Sequence, residues 1–169
     1  MRALAACLFA LLAFPVQAVE LEGKFRQGGL IFGKVTPGTK ISLDGRVLRV
    51  SAEGDFVFGF GRDAPTHATL HIGRAGRAVE ERKLEVSARK YRVQRIDGLP
   101  RRMVTPPPAV LARIKRENGA IAKARAGDSP AVHFRGTWLR PAPGPVTGVY
   151  GSQRILNGKP RRPHFGVDF

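Results

Sequence analysis

Between Val19 and about Asp97 the chain repeats one pattern, and that pattern limits the fold more than any other feature. Short apolar runs alternate with turn signals: "GLIFGKV", then Thr36-Pro37-Gly38, then "KISLDGRVLRV", then "SAEG", then "DFVFGF". "RDAP" follows, then "THATLHI", "GRAG", "RAVEERKLEV" and a last run, "YRVQRI". The runs are too short for helices and alternate as half-buried strands do. In the second of them, Asp44-Gly45 is a strong two-residue hairpin signal, because both turn positions need positive φ.

About seven strands spaced by turns predict a small β-sandwich of immunoglobulin-like type over residues 19–97. A domain of roughly 80 residues buries only a modest core but is within the range that folds alone. The strand reading also decides the case of His67 and His71 in "HATLH". Residues four apart in a strand are about 13 Å from each other, too far to share an ion. Both histidines are expected on the solvent face, opposite Ala68, Leu70 and Ile72.

The pattern changes after "DGLPRRMVTPPP". Pro106 to Pro108 end any strand and suit the start of a helix. "AVLARIKRENGAIAKARAGDS" then sets Val110, Leu111, Ile114 and Ile121 at helical spacing, with Gly127 as the stop. Residues 98–132 therefore read as a Pro-rich, helical linker, its helix packed along a neighbouring domain. A membrane-surface helix is the alternative, but four large apolar residues are few for it.

The amino terminus and the charge bear on location and partners. "MRALAACLFALLAFPVQA" has one cation, a short apolar run and a small-residue end, the order of a secretory signal peptide cleaved after Ala18. The run is too short to span a bilayer, so no stable membrane anchor is expected after cleavage. "LAAC" ending at Cys7 resembles a lipoprotein processing site, but the apolar segment continues past it. Removing residues 1–18 takes away Arg2, no acid and the only cysteine, so the exported chain is expected to fold without disulfides. The whole chain has 29 Lys and Arg against 13 Asp and Glu, a net charge of +16. Such a chain is drawn to polyanions. For an exported protein of the periplasm or cell envelope these are wall polymer and surface anions, not nucleic acid.

The chemistry lies in the stretch from about His133. It contains Trp138, then Gly144-Pro145-Val146-Thr147, then "VYGSQR" ending at Arg154, then "NGKPRRPHFGVD". This string resembles the opening of the catalytic domain in the lysostaphin/LytM-type zinc metallopeptidases, which cut peptides of bacterial cell-wall peptidoglycan. The direct resemblance covers about the last 35 residues. Extra prolines and Arg140 depart from the compact family opening. It implies that residues 133–169 begin an all-β domain with the duplicated hybrid motif fold.

The resemblance also implies a Zn²⁺ held by His164 and Asp168. Zinc takes imidazole nitrogen and carboxylate oxygen at about 2.0–2.2 Å and keeps an open position for water in catalytic sites. Pro163, Gly166 and Val167 argue against a helix here, and an extended strand would hold the two ligands apart. The segment is therefore expected to bend at Gly166, with His164 in a loop and Asp168 entering a strand.

In that family a later H-x-H motif supplies the third ligand and a catalytic histidine, and neither is in this sequence. The expectation is a truncated domain, the amino-terminal part of a longer enzyme, inactive by itself. In the complete enzyme the metal would polarise the scissile carbonyl and lower the pKa of its bound water. Tyr150, Arg154, Asn157 and Arg161, with Lys159 and Arg162, are candidates to line a groove for carboxylate-bearing stem or cross-link peptides. Two other readings differ in class. One is a non-catalytic wall-binding protein or activator of other wall hydrolases, as degenerate members of the family are; retention of both His164 and Asp168 favours the enzyme. The other is a basic β-sandwich binding module complete at Phe169.

Overall fold

The computed structural model describes residues 19–73, 76, 79–127 and 129–169, so the expected signal peptide at 1–18, with Cys7, lies outside them. Among the described residues the protein is mainly β, with ten strands. Three strands, β1 (Glu20–Gly23), β2 (Leu30–Lys34) and β5 (Asp55–Gly59), form one antiparallel sheet in the order β1-β2-β5. Four others, β3 (Lys40–Leu43), β4 (Arg46–Leu48), β6 (His67–Gly73) and β7 (Glu80–Glu85), form a second in the order β4-β3-β6-β7.

Alternation explains how the two sheets share one core. In "DFVFGF" every second residue, Phe56, Phe58 and Phe60, points inward, and the rings meet at 6.2 Å and 5.6 Å between neighbours. Ile31 on β2 joins them, and the second sheet contributes Ile41, Leu43, Leu48, Ala68, Leu70 and Leu84. Gly33 stands beside Phe56 in the ladder, and a β-carbon there would run into the phenyl ring. The absence of a side chain at 33 is what lets the Phe56 ring lie flat against the strand. Asp44 and Gly45 both adopt positive φ, 47° and 81°, in the β3-β4 turn, as the hairpin signal required. His67 and His71 sit on the outer face of β6 while Ala68 and Leu70 are buried.

Two expectations need correction. "YRVQRI" is not a strand of either sheet: β8 (Val93–Ile96) pairs in parallel with β9 (Gln153–Leu156) in a third sheet, β10-β9-β8, where β10 is Lys159–Pro160. The place it was expected to fill is not empty, because "ELEG" at 20–23 forms β1, a strand its charged residues had hidden. The linker is not uniform either. Its first helix, α1 (Arg101–Val104), buries Val104. Its second, α2 (Pro108–Arg125), starts on the prolines as expected but has no buried residue, and Val110, Leu111, Ile114 and Ile121 remain exposed. The expected packing of this helix along a neighbour is not found among the described residues. None of the described helices is long and apolar enough to cross a membrane.

The 3₁₀ turn His133–Arg135 packs on the first sheet. Phe134 stacks on Phe32 at 6.3 Å, and Arg135 pairs with Asp55 and donates to the Gly33 carbonyl at 3.3 Å. Asp55 is also held by Lys34 at 3.2 Å. The chain after α2 is thus tied to the first sheet.

Candidate metal centre

His164 and Asp168 are brought together. The segment that carries them runs antiparallel to residues 147–152 and is fastened to it at two places. At one, Gly151 N–H donates to the His164 carbonyl at 2.7 Å and His164 N–H donates to the Ser152 carbonyl at 2.8 Å. At the other, Asp168 N–H donates to the Gly148 carbonyl and Thr147 N–H to the Asp168 carbonyl, both at 2.9 Å. Between these anchors the chain bends at Gly166. His164 accordingly lies outside regular structure, as expected, whereas Asp168 forms an isolated bridge with Gly148 and not the start of a strand.

The bend makes a four-residue separation chemically short. His164 Nε2 stands 3.3 Å from Asp168 Oδ1. That is within ion-pair reach, yet the buried Nε2 makes no hydrogen bond. A hydrogen bond is set by alignment as well as distance, and the alignment is absent here. Two ligands each 2.0–2.2 Å from one tetrahedral zinc stand about 3.3–3.5 Å apart, so the observed spacing is that of adjacent ligands. Gly148 leaves room for the carboxylate, since a β-carbon there would press on Asp168 Oδ2. The donor pair therefore fits two positions of a zinc shell. No group of three His, Cys, Asp or Glu side chains able to hold a metal occurs among the described residues.

The groove candidates make contacts within the chain. Asn157 is a turn residue: with Gly158 it forms the β9-β10 turn at φ 47° and 75°. Its side chain closes on Leu99, accepting from the Leu99 N–H at 3.0 Å and donating to the Leu99 carbonyl at 2.7 Å. The Arg161 guanidinium donates to the Val104 carbonyl and so fastens α1. Both side chains hold the linker to the third sheet. Lys159 reaches Thr105 at 3.5 Å, and Arg162 stacks over Phe165 at 5.2 Å. Tyr150 is partly buried, with Gly28 against its ring and Phe165 at 5.9 Å, so it packs the junction beside His164. Arg154 is exposed on β9 opposite Gln94, and Trp138 is exposed.

Asn157 offers a direct check. Asn157→Ala deletes two hydrogen bonds and places an alanine in the left-handed region, for an expected loss of about 2 kcal/mol in urea unfolding. Unchanged stability with weakened binding of wall peptides would place Asn157 in the substrate groove.

Sequence reasoning missed Arg62, Tyr91 and Gly151, which connect the β-body to this segment. Arg62 and Tyr91 meet Gly151 across 89 and 60 residues of chain, and nothing local in "GRDAP" or "KYRV" announces it. No protein-family model matches the chain, and no curated protein sequence is significantly similar to it.

Proposed function

We propose that this chain is the amino-terminal part of a zinc metalloendopeptidase that hydrolyses peptide bonds of bacterial peptidoglycan, exported to the periplasm or cell envelope. The observation that carries the reading is the convergence of His164 Nε2 and Asp168 Oδ1 at 3.3 Å with no hydrogen bond between them. Its context is the string "NGKPRRPHFGVD", which resembles the first ligand motif of the lysostaphin/LytM-type enzymes. His164 and Asp168 would hold the metal, and a later histidine of the complete protein would fill the third protein position. The bound ion supplies Lewis acidity toward the scissile carbonyl and its attacking water. The chain's own part is to fix the first two ligands, through the paired anchors at Gly148 and Gly151-Ser152, before any metal arrives.

Support for a longer domain comes from packing. Val146, Val149, Phe165, Val167 and Phe169 are each more than two-fifths exposed along the ladder that carries the ligands. Exposed apolar side chains gathered in one segment mark a surface that something else covers, and we read that cover as further strands of the same domain. We read that domain as the duplicated hybrid motif. We read the amino-terminal body as an immunoglobulin-like sandwich, and its strand order supports this. With the seven strands lettered A, B, C, C′, E, F and G, the sheets become A-B-E and C′-C-F-G.

The test is release of soluble fragments from isolated peptidoglycan by the natural full-length protein. Hydrolysis is expected with zinc, lost on chelation and restored by zinc alone. New amino termini without new reducing ends would identify peptide cleavage. Tight wall binding with no hydrolysis under any metal would replace the enzyme by a binding or activator protein.

A further inference from the structure

We propose that Arg62, in the loop after β5, is a positioning residue for His164, which makes the amino-terminal β-body a fixed part of the metal centre and not a detachable binding module. The inference rests on the zinc reading of His164. Arg62 is largely withdrawn from solvent, its side chain 15% exposed, although it sits in a polar turn. Its Nε donates to the Gly151 carbonyl at 2.9 Å, across 89 residues of sequence. Gly151 N–H in turn donates to the His164 carbonyl at 2.7 Å. One residue therefore joins the β-body on its carbonyl side to the ligand on its amide side.

Two further contacts make Arg62 rigid. Its guanidinium lies over the Tyr91 ring at 4.8 Å and pairs with Asp63 at 2.6 Å. Planar stacking and a directed N–H are both properties of arginine that lysine lacks. Tyr91 presses against Gly151 so closely that a β-carbon there would enter the ring, and Gly151 has φ 85°. Glycine is required at 151 on both counts. Arg89 also stacks on Tyr91, at 5.1 Å from the ring centre. It supplies a control, a cation on the same ring without the bond to Gly151.

Positioning of a ligand from outside the coordination shell is commonly worth 10- to 100-fold in metal affinity. The experiment uses the natural full-length protein in four forms: parent, Arg62→Ala, Arg62→Lys and Arg89→Ala. Zinc affinity is read by chelator competition, coordination by the visible spectrum of the cobalt-substituted protein, and Gly151 amide exchange in the metal-free protein. Arg62→Ala is expected to weaken zinc about 10-fold or more and to speed Gly151 exchange at least as much. Arg62→Lys should recover only part of either, and Arg89→Ala should match the parent. Thermal unfolding of the four forms separates these effects from general instability. Zinc affinity and Gly151 exchange both unchanged in Arg62→Ala, in a parent that binds zinc, would overturn the positioning role. A parent that binds no zinc through His164 overturns instead the metal reading beneath it.

Discussion

His164→Ala in the natural full-length protein is expected to lower zinc affinity by at least about 100-fold and to leave the protein without bound metal after dialysis. Structural zinc is bound with about 10–16 kcal/mol across four ligands, so one ligand accounts for about 3 kcal/mol, a factor near 100. Asp168→Ala should do the same, because the two donors are adjacent and neither has a substitute among the described residues. Hydrolysis should fall with the metal in both. The fold should not, since the backbone anchors at Gly148, Gly151 and Ser152 do not use either side chain. The measurement is zinc per chain by elemental analysis beside a thermal scan. Equal zinc in parent and His164→Ala would remove this residue from the coordination shell and with it the proposed activity.

The largest expected loss of stability lies elsewhere, at Phe56. Its ring is fully buried, 0% exposed, stacked on Phe58 and seated over Gly33. Truncation to alanine leaves a cavity between two sheets that are held in register by backbone ladders and can close only partly. Losses of about 3–5 kcal/mol are typical for this change, which shifts melting by more than about 10 °C in a domain of this size. A shift of less than about 3 °C would mean that the two sheets do not share the core described here. The complementary change, Gly33→Ala, attacks the same contact from the other side by forcing the ring away from β2.

Much of the β-body was legible because alternation is a local signal. "DFVFGF" declares which phenyl rings face inward whatever strand lies beside it, and Asp44-Gly45 declares a turn whatever sheet it joins. The same reasoning failed for "YRVQRI". Alternation says that a segment is a strand and which side is apolar, but not which strand it pairs with, and Val93–Ile96 found its partner 60 residues later in Gln153–Leu156. It failed for "ELEG" in the opposite sense: an edge strand tolerates charges because only one side of it is paired. The long-range partners of Asn157 and Arg161, Leu99 and Val104, are likewise invisible in a linear chain.

The candidate site divides along the same line. The family resemblance of "NGKPRRPHFGVD" singled out His164 and Asp168 as a donor pair, and with that pair given, Pro163, Gly166 and Val167 argued for a segment that is neither helix nor strand and turns at Gly166. Only the tertiary structure decided how close the two donors come, that residues 147–152 anchor their backbone, and that Arg62 reaches Gly151 from the far part of the chain. Local preferences are written in neighbouring residues, because φ/ψ and side-chain alternation are properties of a few bonds. Contacts such as Arg62 with Gly151 depend on the whole path of the backbone between them, and no short stretch of sequence records it.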